Sequence, residues 1–291
     1  MGFRTVVITK HCKCSYKNDY LVVYGDEAKM LHLSEIQTII FDSTAVSITS
    51  YLLCELAQRK INVIFCDEQH NPIAEMQTLY GSFNTSKKIK QQAKWNEEIK
   101  NTIWSLIIED KIKKQAWVLK KFGVTSNEKL LEYIDEIEFG DSTNREGHAA
   151  KVYFNSFFGK GFGRKQENEI NAALNYGYAI LLSTFNKEII SNGYITQLGI
   201  KHKNEFNCFN LSCDLMEPFR PFVDKIVYEN IPFEFDKDMK FKLINILNEQ
   251  VKYENCSHFL STVISKYTAN TLKCITDEAP HKIMFCDSYE V

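Results

Sequence analysis

The spacing of apolar residues changes once along this chain of 291 residues, and the change constrains its fold more than any other feature. In the first eighty or so residues, short β-branched and apolar runs alternate with turn formers, as in strands. Beyond Gly81–Ser86 the apolar residues recur every three or four positions, as in helices. We therefore predict an α+β protein with a small, mostly β domain (1–80), a linker (81–90) and a larger, nearly all-helical domain (91–291).

The same spacing predicts individual elements. The predicted strands cover residues 5–8, 20–24, 30–33, 38–41 and 62–66, and one helix, over residues 49–60, precedes the last of them. Beyond the linker, the predicted helices cover residues 144–158, 171–192, 223–229, 238–253 and 259–274.

Composition excludes several classes of protein. The nine cysteines are an odd number and several lie in apolar runs, so we expect reduced, buried thiols in a cytoplasmic protein. The absence of any CxxC pair argues against a zinc module. No apolar stretch approaches the roughly 20 residues of a membrane span, and the first residues lack a secretory apolar region.

Charge is nearly balanced, with a formal net charge of −2, which argues against a protein that coats nucleic acid indiscriminately. Basic residues nevertheless form local clusters, and each cluster is interpreted either as a solvated helix face or as part of a DNA track. The clusters are Lys87, Lys88, Lys90 and Lys94; Lys111, Lys113 and Lys114; Lys120 and Lys121; and Lys160, Arg164 and Lys165.

Three distant segments each place a metal-binding side chain among charged residues: NREGH (144–148), KHKN (201–204) and DLMEPFR (214–220). The candidate ligands are Glu146, His202 and Glu217. Two carboxylates and one imidazole suit Mn²⁺ or Mg²⁺, held with waters and substrate oxygens, better than a closed zinc site. The surrounding cations, which would hold a phosphate backbone beside the metal, are Arg145, Lys201, Lys203 and Arg220. The predicted substrate is a phosphodiester.

Each of these features has a plainer interpretation. Thr143 and Glu146 fit a helix capping box, and Asp214 and Glu217 fit an N-cap followed by a first-turn acid. The segment 171–178 (NAALNYGY) offers Asn175 and Tyr176 either for phosphate and base contacts or for a packed aromatic helix face. The sequence alone leaves both interpretations open.

Four segments together resemble a known family: NREGHAAKVYF (144–154), NAALNYGY (171–178), LGIKHKNEFN (198–207) and DLMEPFRPFVDKIVYEN (214–230). They are similar, in order and rough spacing, to the CRISPR-associated spacer-acquisition integrase and endonuclease, the Cas1 family. Three N-terminal segments, 15–18, 31–36 and 63–67, resemble the type II branch of that family. The likeness covers nearly the whole chain.

The resemblance implies a β-sandwich-like N-terminal dimerisation domain and an α-helical, metal-dependent catalytic domain. The family's three metal ligands, which are also its catalytic residues, fall on Glu146, His202 and Glu217, with Asp214 as an auxiliary acid near the metal. The implied cofactor is Mn²⁺ or Mg²⁺. The implied reaction is a transesterification that joins a spacer 3′-hydroxyl to the CRISPR repeat.

The implied partners are DNA, as spacer precursor and as repeat, a second copy of the chain, a dimer of the small ferredoxin-like Cas2 protein and other type II Cas proteins, in a prokaryotic cytoplasm. We expect Lys87, Lys88, Lys160 and Arg164 to contribute to the DNA track. The alternative is a non-catalytic DNA-binding scaffold of an adaptation complex. A hydrolase of small phosphate esters is disfavoured because the chain lacks a Gly-rich nucleotide loop.

Overall fold

A computed structural model describes residue 2 and residues 4–78 and 82–287 of the chain. Within those residues, the N-terminal region contains eight strands, one α-helix, α1 (Ser50–Gln58), and a short 3-10 helix (Leu33–Glu35). The strands are β1 (Arg4–Ile8), β2 (Cys12–Lys17), β3 (Tyr20–Tyr24), β4 (Ala28–His32), β5 (Ile36–Phe41), β6 (Val46–Ile48), β7 (Asn62–Cys66) and β8 (Pro72–Glu75).

The strands form two four-stranded sheets. One sheet has the order β1-β5-β7-β8, with parallel pairing except between β7 and β8, and the other has the order β4-β3-β2-β6. Apolar side chains from both sheets and from α1 share one core, among them Leu21, Ile39, Leu52 and Val63. The predicted β-sandwich-like N-terminal region is therefore confirmed.

The first sheet is buried on both faces, because its opposite face packs against the helical region. Neighbouring residues on β5 show this: Ile39 lies in the core between the sheets, whereas Ile40 lies in the core of the helical region. Strands covered on both faces have continuous apolar runs, not alternating ones. A buried hydrogen bond also joins the two regions, from Asn62 Nδ2 to Ser183 Oγ at 3.2 Å.

The second region is mainly helical, and the predicted α+β class is confirmed. Its two long helices, α3 and α6, form its centre: α3 packs against α4, α5 and α8, and α6 packs against α7 to α10. The helices are α2 (Thr85–Gln92), α3 (Glu97–Lys121), α4 (Asn127–Asp135), α5 (Arg145–Phe158), α6 (Glu169–Ser191), α7 (Asn210–Met216), α8 (Arg220–Glu229), α9 (Lys237–Ile244) and α10 (Leu260–Thr276).

The predicted, nearly all-helical region also includes an antiparallel hairpin of β9 (Gln250–Tyr253) and β10 (Cys256–Phe259). The predicted helix over residues 238–253 is thus wrong only in its last part, since α9 is followed by a short 3-10 helix (Asn245–Asn248) and then by β9. Residues 250–253 alternate between exposed and buried, which is the strand period. The turn uses Glu254 and Asn255, both with positive φ, as the tight turns of hairpins require.

Helix α2 begins at Thr85, inside the segment 81–90 that was expected to be a linker. Its last residue, Gln92, is buried and donates to the carbonyl oxygens of Ile195 and Leu198 at 2.8 and 3.0 Å. Lys88, within that segment, also donates to the carbonyl oxygen of Asn192 at 2.6 Å, so the second half of the segment packs with the helical region. Residues 79–81 lie outside the described residues, so the boundary at residue 80 stays a prediction.

All nine cysteines are free thiols, as expected, but Cys54, Cys208 and Cys256 are exposed and not buried. In the part of the chain that the structure describes, no helix is both long enough and apolar enough to span a membrane.

We expect Gly177→Ala to lower the free energy of unfolding by about 1–3 kcal/mol because of overpacking. A Cβ at this position on α6 would lie 2.5 Å from Val223 Cγ1 and 3.2 Å from Leu243 Cδ2. Urea denaturation would measure the change. The matched variant, Gly177→Ala with Val223→Ala, should be less destabilised than the two single changes summed. A Gly177→Ala protein stabilised by the roughly 1 kcal/mol typical of this change in open helices would contradict the close approach.

Candidate active site

Two glutamates from separate helical segments meet at one lysine. Glu146 lies in the first turn of α5, Glu217 lies immediately after the last residue of α7, and Lys111 lies in the middle of α3. Lys111 Nζ is 2.5 Å from Glu146 Oε1 and 2.5 Å from Glu217 Oε2. Lys111 and Glu217 are buried, whereas the Glu146 side chain is 31% exposed. Both carboxylates therefore converge on a single cation position at the edge of the core.

A second cation completes the neutralisation of Glu217. Arg220 Nε donates to Glu217 Oε1 at 2.9 Å, so each oxygen of this carboxylate accepts from a different cation. Burial alone would raise the pKa of Glu217, but the charges of Arg220 and Lys111 outweigh burial and lower it to about 2. Glu217 is therefore a carboxylate, not a carboxylic acid, at neutral pH.

His202 lies beside this pair, held by Asp214. Its Nδ1 is 2.5 Å from Asp214 Oδ1, and its ring packs edge-on against Trp104 with a centroid distance of 5.8 Å. The hydrogen bond from His202 to Asp214 raises the pKa of the imidazole above its ordinary value of 6.5, although burial opposes the shift. Because the carboxylate accepts at Nδ1, Nε2 is the nitrogen left to bind a ligand.

Asp214 organises the loop that carries His202. Its side chain is fully buried and accepts from the backbone N–H groups of Ile200, Lys201 and His202, at 2.5, 3.0 and 3.2 Å. Gly199 permits this closeness, because a Cβ there would lie 2.7 Å from Asp214 Oδ2 and 2.5 Å from His202 O. Asp214 thus positions the imidazole instead of capping a helix, and the capping interpretation of this residue is wrong.

The capping interpretation of Glu146 is also wrong. The N-cap of α5 is Asn144, whose side-chain oxygen accepts from Gly147 N at 3.3 Å. Asp141 accepts from the backbone N–H groups of Arg145 and Glu146, at 2.7 and 3.1 Å. These two residues satisfy the N–H groups that begin the helix, which leaves the Glu146 carboxylate free to bind Lys111.

The basic residues predicted to surround the centre have partners within the chain. Arg145 pairs with Glu136 at 3.0 Å, and Lys203 pairs with Glu97 at 3.1 Å. Lys201 Nζ donates to the carbonyl oxygen of Gly140 at 2.7 Å. These bonds hold the loops around the centre in place, and the exposed pairs are of the weak surface type.

The two candidate residues of segment 171–178, Asn175 and Tyr176, lie in different environments. Asn175 accepts from Arg164 at 2.7 Å, and the guanidinium groups of Arg164 and Arg220 lie 5.2 and 4.7 Å from the ring of Tyr178. Tyr176 is buried and lines a separate cleft of about 470 Å³ between the first sheet and α9. Asn175 and Arg164 therefore connect to the centre through Tyr178, and Tyr176 does not.

The lysine clusters serve different roles. Lys88 donates to the carbonyl oxygen of Asn192 at 2.6 Å, so it ties α2 to the helical region, whereas Lys160 lies on an exposed loop. The neighbouring Lys87 is exposed and lines a groove of about 560 Å³ with Lys90 and Lys94; we call this the lysine groove.

The interpretation of residues 111–114 as a solvated face is wrong, since Lys111 and Lys114 are buried and paired. The sequence carried a signal, because Lys111 follows Trp104, Ile107 and Ile108 on the apolar stripe of α3. A buried lysine requires an anionic partner. The sequence pattern predicted Glu146 and Glu217 as metal ligands but not as the partners of Lys111. It gave no role to Trp104, Asp141 or Gly199.

The donor set fits a hard divalent ion. Two carboxylates already converge on one cation, and the imidazole of His202, whose other nitrogen is fixed, is close enough for the charge of Glu217 to raise its pKa. Within residues 4–78 and 82–287, however, no three histidine, cysteine or acidic side chains are grouped closely enough to hold a metal ion. The residues suit Mn²⁺ or Mg²⁺, while their present arrangement is closed around the ammonium of Lys111.

The fold and this centre together define a class: proteins with a β-sandwich-like region, followed by a helical region whose core carries paired carboxylates and a histidine. A family model described as CRISPR associated protein Cas1 matches residues 5–242. The chain is 32% identical over 286 residues to the CRISPR-associated endonuclease Cas1 of Neisseria meningitidis serogroup C (strain 8013), covering 96% of this chain and 94% of that protein. The chain belongs to the Cas1 family, so the predicted family is confirmed.

Solved structures share the fold. One is a casposase bound to integration product, with a TM-score of 0.74 and 19% identity, covering 94% of this chain and 91% of that one. Another is a chain of a Cas6-RT-Cas1–Cas2 complex, with a TM-score of 0.72 and 17% identity, covering 96% of this chain and 36% of that one.

We expect the His202 imidazole to titrate above pH 6.5, and Asp214→Asn to lower its pKa. A raised pKa in the folded state stabilises the fold fully below pH 6.5, and this contribution is lost as pH rises through the folded-state pKa. NMR titration of the ring protons would measure the midpoint, and urea denaturation at pH 6 and pH 8 would measure stability. His202→Gln should abolish the pH-dependent part of the difference. Equal midpoints in the wild type and Asp214→Asn would contradict the pairing.

Proposed function

We propose that this chain is a metal-dependent DNA integrase and endonuclease of CRISPR adaptation, with Glu146, His202 and Glu217 as metal ligands and catalytic residues. One observation carries the proposal: the carboxylates of Glu146 and Glu217 converge on one cation position, with His202 beside it. Two relatives support it, since the Neisseria protein is named an endonuclease and the casposase is bound to integration product.

In the proposed reaction, the oxygen of a spacer 3′-hydroxyl forms a bond to a repeat phosphorus as the repeat's own P–O3′ bond breaks. The nucleophile loses a proton and the departing oxygen gains one. Bound Mn²⁺ or Mg²⁺ would supply Lewis acidity for both oxygens. Glu146 and Glu217 provide hard oxygen ligands, and Asp214 holds the imidazole of His202 so that Nε2 is free for the ion.

The chain's own cations would hold the phosphate during this exchange. Arg220 is fixed between Glu217 and the ring of Tyr178, so its guanidinium is positioned at little further entropic cost. Arg145 is next to Glu146 in the first turn of α5, and Lys201 and Lys203 flank His202 on its loop. Charge developing on the phosphate oxygens would be stabilised by these fixed groups.

The proposed partners are DNA, a second copy of the chain, and a dimer of the small ferredoxin-like Cas2. This chain shares the fold of part of one chain of the Cas6-RT-Cas1–Cas2 complex, and the name of that complex supports Cas2 as a partner. Association with other type II Cas proteins and a prokaryotic cytoplasmic location stay predictions. The division into a dimerisation domain (1–80), a linker (81–90) and a catalytic domain (91–291) is likewise a proposal.

The alternative, a non-catalytic DNA-binding scaffold, is favoured by one observation: the carboxylate pair is already neutralised by Lys111 and Arg220. Such a centre would be structural and would need no metal. Strand joining therefore discriminates between the two functions, since a scaffold binds DNA without joining it.

We expect the purified chain, mixed with Cas2, a 3′-hydroxyl duplex and a repeat-bearing plasmid, to join the duplex to the plasmid in Mn²⁺ and not in EDTA. Glu146→Ala and His202→Ala should each lower the rate of joining by about 100-fold or more, because loss of a residue that merely orients a metal ligand already costs about 10–100-fold. Gel analysis of plasmid products would measure it.

The matched control is His148→Ala, which removes an exposed histidine two residues from Glu146 on the same helix. It should join at the wild-type rate. Joining that survives both Glu146→Ala and His202→Ala would refute the catalytic site. DNA binding without joining, in Mn²⁺ and with Cas2 present, would favour the scaffold.

We also expect reversal of three charges in the lysine groove, Lys87→Glu, Lys90→Glu and Lys94→Glu, to weaken duplex binding. The slope of log K against log salt should fall by about 0.9 for each DNA phosphate that the groove no longer neutralises. Fluorescence anisotropy between low and high salt would measure it. The control reverses three exposed lysines of the N-terminal region, at positions 10, 17 and 29. Equal slopes in the two triple variants would refute a specific role for the groove.

A further inference from the structure

We infer that Lys111 is a built-in competitor of the divalent ion: its ammonium must leave the Glu146–Glu217 pair before the ion can bind there. Lys111 would thereby set the metal affinity of the centre. This inference rests on the proposed function, because it concerns the same carboxylates.

The Lys111 ammonium and a divalent ion cannot both lie between the two carboxylates. Lys111 Nζ lies 2.5 Å from one oxygen of each glutamate. A Mg²⁺ ion bound to the same two oxygens would lie about 2.0–2.1 Å from each, so it would occupy nearly the position of Nζ. An ammonium and a divalent cation cannot share that position, because of overlap and of like charge.

Glu217 has no other oxygen to offer without losing a partner. Its Oε1 accepts from Arg220, and its Oε2 accepts from Lys111. Arg220 touches only one of the two glutamates, whereas Lys111 bridges both. Displacement of Lys111 therefore frees an oxygen on each candidate ligand at once, and displacement of Arg220 would free only one.

Because the pair is buried, the competition between Lys111 and the ion affects both stability and metal affinity. Lys111 and Glu217 are both buried, so removal of either leaves a charge that solvent does not compensate. The metal-free protein is stabilised by Lys111, and the metal-bound protein would be stabilised by the ion in its place. Removal of the ammonium should therefore destabilise the metal-free state and tighten metal binding together, as linkage requires.

The chain contains a matched control one turn further along α3. Lys114 is also buried and pairs with Asp110, which is not among the candidate ligands. Its ammonium lies over the rings of Phe219 and Phe285, at 5.8 and 5.9 Å from their centroids. Loss of Lys114 thus removes a buried ion pair from the same helix without touching the carboxylate pair.

The experiment compares Mn²⁺ binding to the wild type, Lys111→Met and Lys114→Met by isothermal titration calorimetry and by the EPR signal of free Mn²⁺. We expect both variants to lower Tm without metal. Only Lys111→Met should bind Mn²⁺ tighter, by about tenfold or more, and show a larger rise in Tm on adding Mn²⁺. Lys114→Met should bind Mn²⁺ as the wild type does.

Equal or weaker Mn²⁺ binding by Lys111→Met than by the wild type would overturn the inference and leave the proposed function standing. Absence of Mn²⁺ binding in both proteins would overturn the inference together with the metal dependence of the proposed function.

A second measurement uses the wild type alone and so does not depend on the folding of a variant. Reductive methylation with and without Mn²⁺, read by peptide mass spectrometry, should label Lys111 more strongly when Mn²⁺ is present. Lys114 should label equally in both conditions. Labelling of Lys111 that does not rise with Mn²⁺ would overturn the displacement.

Discussion

The buried carboxylate of Glu217 is the constraint on which the arrangement of the helical region depends. An ionised group removed from water must be paired and hydrogen-bonded, or it costs several kcal/mol. The pairing draws Lys111 from α3 and Arg220 from the start of α8. Since Lys111 also holds Glu146, the first turn of α5 is fixed against α3 by the same charge. One buried anion thereby determines how three helices meet.

Arg220 connects the charged centre to further polar groups in the core. Its guanidinium lies over Tyr178 of α6, and the Tyr178 hydroxyl donates to Asp224 of α8. Burial raises the pKa of Asp224 to about 6, against the opposing hydrogen bond from Tyr178. Gly177, next to that tyrosine, lets α6 approach Val223 on α8 closely. Hydrogen bonding of buried polar groups and close packing therefore both stabilise the contact between α6 and α8.

Much of the fold could be predicted from apolar spacing, and its exceptions have physical causes. Three strands of the first sheet, β1, β5 and β7, follow from short apolar runs, and the long helix α6 follows from helical spacing, whereas β8 was not predicted. The hairpin of β9 and β10 escaped prediction because Leu243, Leu247 and Val251 recur every four positions, as in a helix, and a four-residue strand is too short to outweigh that pattern.

In the candidate site, residue types could be predicted, but partners could not. Lys111 and Glu217 are 106 positions apart, and only tertiary structure joins them.

The pairing of both carboxylates with Lys111 also explains how a fold can contain a metal site and still be stable without the metal. A cluster of buried carboxylates with no cation would unfold the region around it, whereas a zinc-type site makes folding depend on the ion.

An internal lysine resolves the conflict, because it neutralises the pair with a cation that is covalently part of the chain. The same ammonium opposes the ion that the pair would hold. Stability without metal and affinity for metal are thus linked through one side chain, because loss of the Lys111 ammonium lowers the first and raises the second.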